Sequence, residues 1–387
     1  MEAGMMDATL VHGRCPAAND DDRKSAAIAA DGLTKTHRTI AGYEAVRAVL
    51  RDDGARQAGF MAELLERFGG AMRPPILFLE GAAHRRQRSA TARFFAPKLV
   101  GTRHRAVMVD ASDRLVAAFR RDGAGDLDAL SLDLAVTVAG EIVGLTDSDR
   151  GGMIRRLDAF LSVSGGGGGG VTAFVNFVLG QWRMMRFHRA DVLPAIRARR
   201  AQRQDDVISH LIDEGYSERE ILTECVTYGA AGMVTTREFV TMAGWHMLEQ
   251  PALRDRFLDA DETGQIALLE EILRLEPVVG TLYRRISGEP AATALDIRAA
   301  NADATAMGAC PHRIDPARDR APRVPGAGLA FGDGAHRCPG AGVAMLESAL
   351  FLDRLLRVPG LRLERPPTMR WNALVTGYEL RGCRISC

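Results

Sequence analysis

The sequence predicts a mainly α-helical protein with minor β-structure, and three observations carry that reading. Apolar residues recur at helical spacing in successive segments from Gly42 onward. Ser217-x-x-Glu220 forms a capping box that opens a stretch of over thirty residues without proline. Only the tail, Leu361 to Ile385, alternates apolar and polar residues as short strands do.

In chain order, residues 1 to about 35 contain Asp20-Asp21-Asp22 and many small residues, and read as a loosely ordered arm ahead of a body spanning 36–387. Val46, Val49 and Leu50 mark a first helix over Gly42–Leu50. Residues 52–75, rich in glycine and ending in Pro74-Pro75, read as a flexible covering loop. His84 and Arg88, four apart, share a helical face and offer donors to one anion. Alone, such a basic stretch is a solvated face. Further helices are expected over Leu99–Arg121 and Leu127–Leu145. Gly165 to Gly170 lacks the Gly-Lys-Ser/Thr that a phosphate cradle needs, so it reads as a linker. Phe174, Phe177, Val178, Met185 and Phe187, in Val171–His188, either roof a pocket or belong to an ordinary core.

The stretch from Ser217 to Pro251 is long enough for a helix of roughly 50 Å, which would cross a whole domain. Its middle, Ala230-Ala231-Gly232-Met233-Val234-Thr235-Thr236, is small enough for a flat group to come close, and threonine hydroxyls bond back and loosen a helix. Glu271 and Arg274 stand three apart in a helix that Pro277 ends; alone, such a pair is surface decoration.

Composition bounds the function. The 387 residues are 47% hydrophobic and 26% charged, as in ordinary globular proteins, and a net charge of +1 argues against a nucleic-acid binder. Six scattered cysteines show no paired framework and no zinc spacing, which suits a reducing cytoplasm. Met1 to Arg14 lacks the apolar core of a signal peptide, and no run of about eighteen apolar residues occurs, so no membrane partner is expected. Lysine occurs only at positions 24, 35 and 98; the arginine, alanine and glycine bias points to a GC-rich bacterial genome.

The most informative stretch is Phe331-Gly332-Asp333-Gly334-Ala335-His336-Arg337-Cys338-Pro339-Gly340. Glycines permit turns that a Cβ would forbid. Cys338 falls where the apolar run Ala341–Leu356 begins, so its sulfur faces orphan N–H donors at a helix start, which favour an anionic metal ligand. The string resembles, at every defining position, the haem loop of the cytochrome P-450 family. The resemblance implies a single large helical domain with small β-sheets, haem b, and Cys338 as axial thiolate, with Phe331, Gly332, His336 and Gly340 shaping the loop. It places His84, Arg88 and one of Arg284 and Arg285, with Arg284 favoured, on the haem propionates. Glu271, Arg274 and Arg318 form its buried ion-pair network. Ala231, Gly232 and Thr235 fall where that family binds and cleaves O2, but Val234 stands where its usual acid would be.

What the resemblance implies chemically is monooxygenation of a hydrophobic small molecule, with electrons from a ferredoxin and ferredoxin reductase. Docking is expected near Arg337, Arg318 and Arg320, and a role in bacterial secondary metabolism by analogy. With valine at 234, the proton route is expected to use Thr235, Thr236 and Glu238, the last through water. Val234, Val278, Val279, Val375 and Thr376 are pocket candidates. A peroxide-driven or coupling haem-thiolate enzyme, and a haem binder or gas sensor that needs no Thr235, are the alternatives.

Overall fold

The computed structural model describes residues 21–28, 38–59, 73–161, 171–289, 291–373 and 375–387. Most of the 1–35 arm, the middle of the 52–75 loop and the run Gly165–Gly170 lie outside these. The expected mainly helical fold is what the chain adopts. Helices in order are α1 (Tyr43–Arg51), α2 (Gly81–Ala92), α3 (Arg105–Asp122), α4 (Leu127–Val143), α5 (Arg150–Leu161), α6 (Val171–Phe187), α7 (Leu193–Ala201), α8 (Val207–Asp213), α9 (Glu218–Tyr228), α10 (Thr235–Glu249), α11 (Pro251–Asp259), α12 (Glu262–Leu275) and α13 (Ala341–Leu356).

The capping box forms with both reciprocal bonds: Ser217 N–H donates to Glu220 at 2.8 Å, and Glu220 N–H to the Ser217 hydroxyl at 3.4 Å. From there the chain is helical to Glu249, but Gly229–Val234 widens into a π-helical segment between α9 and α10. Such bulges relieve a helix where close approach is needed and are frequent at functional sites. At its far end, Gly244 lets α10 press against α4; a Cβ there would meet Leu127 Cδ2 at 2.7 Å. α10, α12 and α13 bury Val240, Met247, Leu269, Ile272, Phe351 and Leu352 in one continuous apolar core.

β-Structure is peripheral. β1 (Thr39–Ile40), β2 (Arg56–Ala58), β4 (Thr281–Arg285) and β5 (Thr293–Asp296) form a sheet in the order β1-β5-β4-β2. β3 (Ala124–Asp126), β9 (Arg384–Ser386) and β6 (Arg362–Arg365) form a second, and β7 (Thr368–Asn372) pairs β8 (Gly377–Arg381). The period of two decides a side-chain question in β4: Arg284, opposite Gln57 and Thr293, points inward and is buried, whereas Arg285 is half-buried.

Three readings need correction. Within the expected loose arm, residues 24–28 form a 3-10 turn tied to the body; the N–H groups of Lys24 and Ser25 donate to the buried Glu276. Not all cysteines are free: Cys310 is disulfide-bonded, its partner lying outside the described residues. And Val178 and Met185, offered as a pocket roof or core, stand about half exposed on α6, while Phe187 is buried.

Candidate active site

The glycine loop is built against α1. Gly334 takes φ +66°, and a Cβ there would strike Leu50 O at 2.3 Å, so only glycine fits this crossing. Asp333 anchors the turn, accepting from Arg47 Nε at 3.1 Å, Arg51 Nε at 2.9 Å and Gly334 N–H at 2.7 Å. Cys338 N–H closes the loop onto Phe331 O at 2.8 Å. α13 then starts at Ala341, and the N–H groups of Gly340 and Ala341 point at the sulfur. Burial nonetheless outweighs these donors and the nearby Arg88 and Arg337, and holds the thiol above its ordinary range. A metal cation at the sulfur would favour the thiolate that burial disfavours.

Beside the loop, four cationic or ring-nitrogen groups converge from α2, β4 and the loop itself. The His84 ring on α2 lies 4.1 Å from the ring of His336. Both line a small crevice with Arg284 and Glu80. Glu80 accepts from Gln57 N–H at 2.7 Å and meets His336 Nε2 at 3.3 Å. Burial, with His336 and Arg88 nearby, pushes the His84 pKa down to about 4, and burial lowers that of Arg284 to about 10. Arg284 donates to Tyr283 O at 2.9 Å and has no carboxylate hydrogen-bonded to it among the described residues. A buried guanidinium so placed is built for an anion. Arg88 turns toward the loop and donates to Arg337 O. Between α2 and Pro339 lies a cleft of about 380 Å³.

α2 itself is fixed by polar contacts to α9. Gln87 donates to Glu224 at 3.0 Å and accepts from Tyr216 at 2.7 Å, and Phe95 stacks on Tyr228 at 6.3 Å.

On the long helix, Ala231 is exposed and Gly232 and Thr235 half-buried, although they sit mid-helix between buried neighbours. Thr235 donates back to Ala231 O at 2.6 Å. Val234 faces away, 1% exposed. Glu238 is not available as a proton relay. It is wholly buried, pairs with Arg237 Nε at 2.8 Å and Arg381 at 3.0 Å, and accepts from Leu380 N–H at 2.6 Å. Thr236 instead faces Glu347 of α13, a buried acid that the sequence reading missed. Burial pushes the Glu347 pKa up to about 8, and its Oε2 has no hydrogen-bond partner among the described residues. An acid inside the apolar run Ala341–Leu356 was the available signal.

The structure brings Glu271, Arg274 and Arg318 together. Glu271 accepts from Arg274 Nε and Nη2, both at 2.8 Å, and from Arg318 Nε at 3.0 Å. Arg318 spends its other donors on the carbonyls of Met307, Ala309, Cys310 and Arg313. It is therefore not a docking residue; Arg337 is exposed and Arg320 half-buried. Val278 and Val375 are buried, and Thr376 spends its hydroxyl on Thr281 O at 2.5 Å, so it offers none to a ligand; Val279 keeps partial exposure.

These residues suit a dianionic macrocycle with a soft metal. A thiol sits at a helix start, a buried arginine has no carboxylate hydrogen-bonded to it among the described residues, and a small-residue surface stands open on the long helix. The fold and the site fit a haem-thiolate protein.

No model of a known protein family matches the chain. Curated relatives do. It is 28% identical over 369 residues to the cytochrome P-450 monooxygenase PikC of Streptomyces venezuelae, covering 88% of this chain and 83% of that protein. It is 27% identical over 337 residues to a methyl-branched lipid omega-hydroxylase of Mycobacterium tuberculosis, covering 82% and 75%. Among solved structures, CalO2 superposes with a TM-score of 0.74 at 24% identity over 90% of each chain. P450BioI, in complex with an acyl carrier protein ligated to hexadec-9Z-enoic acid, gives 0.73 at 22%, covering 90% and 91%. The chain has the fold of the cytochrome P-450 structures it superposes on, and its curated relatives include a cytochrome P-450 monooxygenase. The curated relatives are named as monooxygenases and a hydroxylase.

Proposed function

We propose that this enzyme oxidises a hydrophobic small molecule of bacterial secondary metabolism, hydroxylating it or making a similar change. Electrons come from a ferredoxin and its reductase, in the cytoplasm. The observation that carries the reading is the open patch of Ala231, Gly232 and Thr235 on the long helix, together with the half-buried Cys338. When bound, haem supplies the reductive activation of dioxygen, one atom entering a C–H bond and the other leaving as water.

The chain's own residues supply placement and protons. Cys338 would hold the iron through its thiolate, whose charge the N–H groups of Gly340 and Ala341 would support. His84, Arg88, Arg284 and His336 would hold the propionates, in a crevice where Glu80 now stands beside His336. Val234 keeps the back of the helix dry. Thr235 offers its hydroxyl on the open side, and Thr236 with the neutral Glu347 stores a proton behind it. The exposed Arg337 marks the face for an acidic electron carrier.

One observation favours a second reading. Val234 is apolar and Glu238 is paired with arginines, so among the described residues these two positions leave no free carboxylate beside Thr235. A peroxide-supported reaction, which arrives with its protons, would run on the same site. Screening metabolites for a blue shift of the Soret band tests the substrate claim, since a fitting apolar ligand displaces iron-bound water. A library of apolar metabolites that leaves the band in place would count against it.

A further inference from the structure

Among the described residues, the large apolar side chains left exposed are concentrated on one helix. Val175, Val178, Leu179, Trp182 and Met185 of α6 are between 41% and 54% exposed. Their spacing puts them on a single face. From Val171 to Ala190 the chain carries no Asp or Glu, but has Arg183, Arg186 and Arg189. Arg183 turns inward and donates to Ala159 O at 2.8 Å. Arg186 lies over the Trp182 ring, 4.7 Å from its centroid. Arg186 and Arg189 are exposed without an ion pair among the described residues, whereas Arg200 and Arg203 further along meet Glu218 and Asp213.

We propose that the outer face of α6 docks the protein on an anionic lipid surface, lying in its interfacial plane. An apolar stripe bordered by unpaired arginines, with a tryptophan beneath a guanidinium, is the pattern that buries side chains at the acyl boundary while cations meet headgroups. The shape agrees. The stripe is one convex helix, about 15 Å long from Val175 to Met185, and its side chains stand about half out, matching shallow insertion into a fluid layer. Attachment is peripheral, since no described helix is long and apolar enough to cross a membrane. This revises the expectation of no membrane partner and does not depend on the proposed substrate.

The test is co-sedimentation of the haem-loaded protein with phosphatidylcholine vesicles, with and without phosphatidylglycerol. Binding is expected only with the anionic lipid, weakening with salt. It should fall roughly fivefold in Arg186→Gln and further in Leu179→Ser and Trp182→Ser, all with unchanged Soret spectra. Brominated lipid should quench more fluorescence in the parent protein than in Trp182→Phe. No sedimentation with anionic vesicles would overturn the proposal, as would binding that these substitutions leave unchanged. So would a dimer that Trp182→Ser abolishes while vesicles are ignored, which would assign the face to a second copy.

Discussion

The buried carboxyl of Glu347 faces the hydroxyl of Thr236, joining the helix that follows Cys338 to the helix that carries Thr235. The pair gives neutral Glu347 two consequences, one for stability and one for proton supply.

For stability, the sign follows from linkage. Unfolded, Glu347 titrates near the ordinary 4.5; folded, burial raises it to about 8. The folded state therefore binds the extra proton between these values, and stability falls as pH rises through that window. Glu347→Gln keeps the contact with Thr236 and removes the penalty. Its unfolding free energy should match the parent's in acid and exceed it above pH 8, by up to about 5 kcal/mol, with the melting temperature rising accordingly. A difference independent of pH would show that Glu347 is ionised in the fold.

Thr235 and Glu238 should behave oppositely. Thr235→Ala should lower product formed per reduced nicotinamide and release peroxide, with stability unchanged. Glu238→Gln should destabilise by about 3 kcal/mol, because Arg237 and Arg381 lose a buried partner. The surviving enzyme should couple normally. Val234→Asp places an acid where the family has one and should tighten coupling in whatever fraction folds.

Glu271→Ala should leave Arg274 and Arg318 as uncompensated buried charges, at a cost of about 3–5 kcal/mol. Insoluble or haem-free protein is the expected yield. A soluble, fully loaded variant would show that the carbonyl contacts alone hold the two arginines.

Arg284→Leu should lose haem to apomyoglobin at least tenfold faster than the parent. Arg285→Leu should lose it at the parental rate, because strand alternation puts only Arg284 in the crevice with His84 and His336.

The haem loop was legible because its determinants are contiguous: Gly334 must turn beneath Leu50, and Cys338 must precede a helix. The long helix was legible from its capping box and its lack of proline. Its interior was not. Ideal spacing put Glu238 on the face of Thr235, but Arg381 from β8 and Leu380 N–H claim that carboxylate, and both are distant in sequence. Glu347 went unseen because its partner lies on another helix. Arg318 was given two roles, and five backbone and carboxylate acceptors leave it only one. The exposed stripe of α6 read as roof or core, since periodicity marks an apolar face without saying what covers it.

The central claim is that Cys338 is the iron's thiolate ligand, and the reduced carbonyl spectrum tests it most directly. The parent protein and Cys383→Ala, whose sulfur is buried where its N–H donates to Asp128 at 3.0 Å, should both show the far-red Soret band of thiolate ligation. Cys338→Ser should lack it. A Cys338→Ser protein that keeps the band, or a Cys383→Ala protein that loses it, would contradict the account.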